Sequence, residues 1–365
     1  MGLFSKKIES YLGVDIGAGS VKVVECRNDR KRARLSTYGF AEMETGSTNP
    51  TSNLGSDLDG IAATLKEVCG RAKVESKRAV TSLPIAAVFS SIISLPIMPK
   101  KELPAAVQWE AKKLVPLPIE EMILDWKLLT SDEDLKKDAS AKGGSASGGK
   151  AIRVLLTGAP KGLVQQYLTV FKRAGLELAS LETEAFALIR SLVGGDPSVI
   201  LILDIGFART SMVIVDAATP MLSRSVDVGG KDFSRALAET MGTDASTAEQ
   251  FKLDLAVMPN AGAGGGLPAI LPRTLAPVIQ EVRYGVNLYL SQEEHRGRVV
   301  EKVILAGGSA LLPGLTDILA RELSLRVFVG DPWARVMYPP DLRPALDTIG
   351  PRFAVAVGLA MREIT

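Results

Sequence analysis

Two short runs hold the residues best suited to chemistry. The first, Gly13-Val14-Asp15-Ile16-Gly17-Ala18-Gly19-Ser20-Val21-Lys22, reads as a strand, a tight glycine turn and a second strand. Glycine lets backbone N–H groups approach phosphate oxygens closely, and successive amides of such a turn form a small anion-binding concavity. Ser20 adds a hydroxyl donor and Lys22 a point charge for phosphate. Asp15 can hold Mg²⁺ through water, because Mg²⁺ keeps much of its hydration and takes few carboxylates. Taken alone, the run is better read as an ordinary Asp-Gly hairpin. The tripeptide Asp-Ile-Gly returns at Asp204-Ile205-Gly206, however, after the apolar Val199–Leu203 and before the β-branched Met212–Val215. There Thr210 and Ser211 supply hydroxyls, and Asp204 stands to its turn as Asp15 does to the first. Two such hairpins facing a cleft would clamp a nucleotide, with both aspartates near its Mg²⁺.

A third element has the same character. Val303 to Leu305 is strand-like and runs through Ala306-Gly307-Gly308-Ser309 into a helical pattern. Gly307 and Gly308 leave room for a flat base to lie against the backbone, with Ser309 beside them. The order hairpin, hairpin, Ala-Gly-Gly-Ser is more specific than any one part.

These residues must be positioned by an α/β chain, since β-rich runs alternate with helical patterns in both halves. The second half begins near Pro197, with Gly194-Gly195-Asp196-Pro197 as a hinge. A segment of different texture lies inside the first half, from Leu83 to Pro160. There Val88–Leu95 reads as a strand. Lys101–Leu114 reads as a helix with Leu103, Val107, Ala111 and Leu114 on one face, ended by Pro116 and Pro118. Ser131–Lys150 is charged and then rich in Gly, Ser and Ala, which predicts a mobile hairpin insertion. In the second half, Phe233–Leu255 and Leu275–Arg296 are helical, divided by Asn260–Gly266.

Composition narrows the chemistry. The 365 residues are 46% hydrophobic and 23% charged, as in globular chains, and 43 Lys and Arg against 41 Asp and Glu leave a net charge of +2. Bulk charge gives no nucleic-acid footprint. Two cysteines, Cys26 and Cys69, are too few for a disulfide framework or a zinc cluster. One histidine, His295, argues against His-rich metal sites and Ser-His or Cys-His nucleophiles. Pro84 and Pro96 interrupt the most apolar stretch, so no membrane span is expected. Leu3, Phe4, Lys6 and Lys7 read as a docked or frayed terminus rather than a membrane contact.

With the two hairpins and the Ala-Gly-Gly-Ser element in this order, the chain resembles the actin-like ATPase superfamily. Within it, the chain is most similar to the PilM family of type IV pilus assembly. The particular residues are Leu95-Pro96-Ile97-Met98-Pro99, Trp109-Glu110-Ala111-Lys112, Val115-Pro116-Leu117-Pro118 and Leu124-Asp125-Trp126. Glu182-Thr183-Glu184-Ala185-Phe186-Ala187, Gly229-Gly230-Lys231-Asp232-Phe233 and the Ala354–Ala360 stretch also look like this family.

The resemblance implies ATP between two ribonuclease-H-like lobes, with a small α/β subdomain inserted in the first. The first lobe would comprise 1–82 with 161–196 and 350–365, and the insertion 83–160. The second lobe would comprise 197–232 and 299–349, with a helical subdomain at 233–298. The family pattern puts Asp15, Gly17, Gly19, Ser20 and Lys22 at the first phosphate turn, and Asp204, Gly206 and Thr210 at the second. Ala248-Glu249-Gln250-Phe251-Lys252 resembles the Ala-Glu-x-x-Lys run of FtsA-like proteins, which implies that Glu249 and Lys252 meet ribose and adenine. Glu184 falls where superfamily members orient the attacking water. Phe207-Ala208-Arg209 is bulkier than the glycine-rich second turn of the chaperone ATPases, which would loosen the wrap around the terminal phosphate.

The implied function is a cytoplasmic ATP-binding scaffold with slow or absent hydrolysis. It would bind the short cytoplasmic N-terminal tail of the inner-membrane protein PilN and link it to the pilus motor. The family's tail docks between the first lobe and the inserted subdomain. Membrane contact would be indirect, at the inner face, and homo-oligomers are compatible with the reading. The rivals are an FtsA-like division protein that recruits a tubulin-like filament, and an actin-fold small-molecule kinase. Arg362-Glu363-Ile364-Thr365 directly follows a core-like helix without an amphipathic membrane helix, which disfavours the first. No acceptor-binding motif supports the second. Plainer readings remain for several residues: a helix cap for Glu184, a surface pair for Glu249 and Lys252, a solvated turn for Arg27–Arg34, core or groove wall for Trp109 and Trp126, and structural roles for His295, Cys26 and Cys69.

Overall fold

The computed structural model describes residues 10–43, 54, 57–129, 151–257 and 267–364. The terminal Leu3–Lys7 run, Ser131–Lys150 and Asn260–Gly266 lie outside them. The chain forms two compact units, Met1–Ala86 with Leu168–Thr365, and Ala87–Tyr167.

The first unit opens with the antiparallel meander β1 (Ser10–Ile16), β2 (Ser20–Asp29) and β3 (Arg32–Glu42). Its register pairs Asp15 with Lys22 and Ile16 with Val21 across the glycine turn. Helix α1 (Leu58–Arg71) starts at Asp57, whose side chain accepts from the Gly60 N–H. It buries Ile61, Ala62, Leu65 and Val68, one face at helical spacing. Strand β4 (Arg78–Leu83) then pairs parallel to β1.

The second unit is a three-stranded antiparallel sheet of β5 (Phe89–Leu95), β6 (Met122–Leu128) and β7 (Ile152–Pro160), with β7 central. Its core joins Ile93, Leu95, Val154 and Leu156 to Leu103, Val107 and Ala111 of α2 (Leu103–Leu114). Leu114, expected on that face, is exposed. The apolar row 103, 107, 111 advances by four, so its buried continuation is position 115, where the helix has ended and Val115 packs partly buried on the core.

After α3 (Lys161–Arg173), β8 (Glu177–Thr183) pairs parallel to β4. The short α4 (Glu184–Leu188) starts at Glu184 and continues as a π turn over Ile189–Val193. Arg335 donates to the carbonyls of Arg190, Ser191 and Val193, satisfying that end.

A second meander follows: β9 (Ile200–Ile205), β10 (Thr210–Asp216) and β11 (Thr219–Val226). Helices α5 (Gly230–Met241), α6 (Ala245–Val257) and α7 (Leu267–Leu290) come next. Then β12 (Lys302–Ala306), α8 (Leu315–Leu323) and β13 (Arg326–Val329) complete a sheet ordered β11-β10-β9-β12-β13. Strand β14 (Val336–Met337) pairs with β3 and extends the other sheet to β14-β3-β2-β1-β4-β8.

Both sheets therefore share one plan, a three-stranded antiparallel meander continued beyond its first strand by two successive parallel strands. The doubled Asp-Ile-Gly marks a doubled fold. The last helices, α9 (Arg343–Ile349) and α10 (Ala354–Ala360), close the first unit. Every residue of α10 is buried, and it lies directly on β1: a Cβ on Gly13 would fall 2.2 Å from the Ala356 carbonyl oxygen. Among the described residues no helix is long and apolar enough to cross a membrane.

Candidate functional site

One cleft in the first unit, of about 280 Å³, gathers the chemistry. Its lining includes Asp15, Gly17, Gly19, Ser20 and Lys22 from the first hairpin and Asp204 and Gly206 from the second. Glu184, Glu249, Lys252, Gly307, Gly308 and Ser309 complete the expected set. These segments lie far apart in the chain and meet because both glycine turns emerge at corresponding ends of their sheets. Each turn closes with the same hydrogen bond, Gly17 N–H to the Ser20 carbonyl and Gly206 N–H to the Arg209 carbonyl, both 2.9 Å.

Thr210 is the exception, and the strand register gives the reason. Ile205 pairs with Thr210 as Ile16 pairs with Val21, and Asp204 pairs with Ser211 as Asp15 pairs with Lys22. Side chains alternate along a strand. Thr210 thus turns away from the cleft, and its hydroxyl donates to the Val228 carbonyl at 2.7 Å, while Ser211 faces the cleft.

Gly307 is a glycine for a reason of its own. It has φ +87°, and a Cβ there would lie 2.3 Å from the Ile205 carbonyl oxygen and 2.6 Å from Asp204 Oδ1. The second hairpin thus fills the place of a side chain on Gly307, which still lines the cleft with its backbone. Gly308 has open space where a side chain would be.

The electrostatics are unbalanced. Lys22 Nζ pairs with Asp15 Oδ2 at 2.9 Å, both nearly buried. Asp204 has Ser211 opposite it on one neighbouring strand and Ala306 on the other, and neither supplies a charge. Burial, then repulsion from Asp15, pushes the Asp204 carboxyl up to about 7, and Lys22 offsets part of this. Glu184 is pushed up to about 8 by burial first and then by Asp204 and Asp15. It is partly held back by its acceptance of the Ile85 N–H at 3.1 Å.

The Glu249–Lys252 pair is not a solvated surface pair. Lys252 is buried, and its ammonium donates to the Gly230 carbonyl at 2.9 Å, Ser234 Oγ at 2.9 Å and Glu249 Oε2 at 2.7 Å. Desolvation lowers its pKa, and the contact with Glu249 works against that shift. Ser234 Oγ also bonds Glu249, so α5 and α6 are tied together at the cleft wall.

Among the described residues no three His, Cys, Asp or Glu side chains come together as direct metal ligands. The donor set instead suits a hydrated divalent cation, since Asp204 and Glu184 carry acidic groups without matching positive charge and Mg²⁺ retains its water. Ser211, Phe207 and Arg209, read in the sequence only as parts of the second turn, also line the cleft, as does Arg352, which sequence reasoning missed. Phe207 packs on the first turn so closely that a Cβ on Gly19 would fall 2.7 Å from its ring.

Two sheets of one topology with paired Asp-x-Gly hairpins opening on a shared cleft define an actin-like α/β fold. Solved structures share it: ethanolamine utilization protein EutJ from Carboxydothermus hydrogenoformans (TM-score 0.55, 16% identity, 97% of this chain and 89% of that one). An MreB of Spiroplasma citri bound to ADP does so too (TM-score 0.54, 12% identity, 96% and 94%). At such identities the likeness concerns the fold alone. Residues 13–364 match the family of the type IV pilus assembly protein PilM, and the chain belongs to that family. A chain of the PilM-PilN type IV pilus biogenesis complex is similar over 97% of this chain and 98% of its own, at 28% identity and a TM-score of 0.81.

Proposed function

We propose that the chain is an ATP-binding scaffold of type IV pilus assembly. The phosphates lie between the two hairpins, near Gly17, Gly19, Ser20, Lys22 and Gly206. Ribose and adenine lie toward Glu249, Lys252, Gly308 and Ser309. Asp15 and Asp204 hold Mg²⁺ through water, and the cation supplies positive charge to the phosphates and to Asp204, which unlike Asp15 has no lysine paired with it. The observation that carries this reading is the meeting, in one cleft, of two matching Asp-x-Gly turns with acidic groups left unbalanced. ATP hydrolysis is slow or absent in this view. Glu184 would orient the attacking water, but its raised pKa keeps it mostly protonated near neutral pH, and it already accepts the Ile85 N–H.

The scaffold's partner is the short cytoplasmic N-terminal tail of a PilN-like inner-membrane protein. The tail binds as an extended peptide through main-chain hydrogen bonds and apolar pockets. The chain thereby sits at the inner face of the cytoplasmic membrane through its partner and links it to the pilus motor. Family membership and the similarity to a chain of the PilM-PilN complex support this. ATP tunes the contact to the extent that it binds two arrangements of the chain with different affinity.

Capture from native cells with Mg·ATP, comparing wild type with Asp15→Ala by mass spectrometry, tests the proposal. The expected result is a single-span membrane protein held through its short tail, in lower yield with the variant. A tubulin-like division protein, or no membrane partner, would overturn the pilus reading.

A further inference from the structure

Arg209 occupies in the second hairpin the place of Ser20 in the first, since each carbonyl closes its turn. Its side chain lines the cleft and is only 14% exposed. One edge of the guanidinium, Nε and Nη2, donates to Asp227 Oδ1. Nη1 is buried and has no hydrogen-bond partner in the protein. A buried charged donor left without an acceptor is costly, and a native structure keeps one where something else supplies the acceptor. Asp227 is 74% exposed, so its pair with Arg209 orients the guanidinium in partly screened surroundings and does not neutralise a core charge.

The surrounding backbone holds Arg209 in place. Gly230 N–H donates to the Gly206 carbonyl at 2.8 Å, and Lys231 N–H to the Phe207 carbonyl at 2.9 Å. Gly229 fits because it lacks a Cβ, which would fall 2.6 Å from the Arg209 nitrogen. The second hairpin also needs a cation more than the first does. Ser211 stands where the first hairpin has Lys22, so Asp204 has no ammonium across the strand.

We infer that Arg209 is a phosphate ligand: its cleft-lining guanidinium donates to an oxygen of the nucleotide's phosphate chain, with Nη1 uncovered as the nucleotide settles between the hairpins, and Asp227 is the positioning residue that holds the other edge. The inference rests on the nucleotide reading above. Guanidinium suits the task because its donors are fixed in a planar fork, one edge of which can be anchored while the other binds oxyanions.

The test is calorimetric titration of the full chain with Mg·ATP, Mg·ADP and adenosine. Arg209→Met should weaken both nucleotides by at least about tenfold, the scale of one charged hydrogen bond, and leave adenosine unchanged. Arg209→Lys should recover part of the loss, and Asp227→Asn should show a smaller loss restricted to the two nucleotides. If the wild type binds neither nucleotide, the nucleotide reading fails and this inference with it. If the wild type binds but Arg209→Met matches it, or loses adenosine in the same proportion, the inference alone is overturned. Should Arg209→Met not fold, the Arg209 ¹⁵Nε resonance of the wild-type protein decides: it should shift with Mg·ADP and not with adenosine, and an unmoved resonance with bound Mg·ADP refutes the contact.

Discussion

Replacing Glu184 by glutamine should stabilise the nucleotide-free protein, and increasingly so as pH rises. Glutamine keeps the shape and the acceptor for the Ile85 N–H and removes the titrating proton. The wild-type carboxyl goes from an ordinary 4.5 to about 8 in the fold, chiefly through burial and then through Asp204 and Asp15. An acid with a raised folded pKa binds its proton more tightly folded than unfolded. Its ionisation therefore costs nothing below the unfolded pKa, begins to cost as pH passes about 4.5, and reaches the full penalty above about 8. At ~1.4 kcal/mol per unit, the penalty is about 1 kcal/mol at pH 5 and about 4 kcal/mol at pH 8.

The glutamine variant should thus gain about 3 kcal/mol on wild type between those pH values. With an unfolding entropy of ~2 cal/mol/K per residue, that corresponds to roughly 4 °C in melting temperature. The assay is thermal unfolding of both proteins at pH 5 and pH 8 without nucleotide, read as the difference of differences so that other titrating groups cancel. An equal advantage at both pH values, or a variant less stable at pH 8, would refute the electrostatic account of this site. Stability gained by removing a buried carboxylate would mark a place where the fold holds a charge against its own preference.

Three other substitutions separate parts of the structure. Thr210→Val should cost about 1 kcal/mol in urea unfolding by removing the hydroxyl that caps the Val228 carbonyl, with Mg·ADP affinity unchanged; Ser211→Ala should weaken Mg·ADP instead. Lys252→Met leaves Glu249 without its ammonium and the Gly230 carbonyl without that donor, so a loss of about 2–4 kcal/mol is expected by urea unfolding; a loss below 1 kcal/mol would mean the triad is mere decoration. Gly358→Ala would place a Cβ 1.9 Å from the Ala187 carbonyl oxygen. Since backbone must move, the cost should reach about 3 kcal/mol or more, visible as a lowered melting temperature and a smaller soluble yield.

Much of the cleft was legible because its parts announce themselves locally. A strand, an Asp-x-Gly turn and a second strand fix their geometry over a few residues, and repetition of the tripeptide tells that the geometry occurs twice. Residue type offered Thr210 and Ser211 alike and the family pattern pointed to Thr210, yet the one that faces the cleft was present as spacing: Lys22 lies seven residues after Asp15, as Ser211 does after Asp204. Strand parity outranks hydroxyl chemistry in deciding which side chain reaches a site. Gly307 was legible as a needed glycine but not for its reason, because what fills its missing side chain is the carbonyl of Ile205, a neighbour only through the β9–β12 pairing. The Arg209–Asp227 pair spans the whole β10–β11 hairpin and could be found only once that hairpin's register was known. Leu114 shows the same limit at a helix end, where the buried row 103, 107, 111 passes to Val115 and leaves Leu114 exposed.

The two hairpins are one backbone with their charges placed differently, and that difference explains the electrostatics of the cleft. In the first, the cation sits on the strand opposite the aspartate, and Lys22 meets Asp15 within hydrogen-bonding distance. In the second, the strand position holds a serine, and the cation has moved to the end of the turn as Arg209, anchored outward on Asp227. Asp204 is therefore the aspartate with no cation opposite it, relieved only in part by Lys22, and its neighbour Glu184 inherits the repulsion. A fold at rest gains nothing from separating Asp204 and Arg209 in this way. The separation becomes favourable when a bound species carries both signs, a cation for Asp204 and oxyanions for Arg209. A magnesium nucleotide has that pattern of charge, which neither a lone anion nor a lone metal ion supplies.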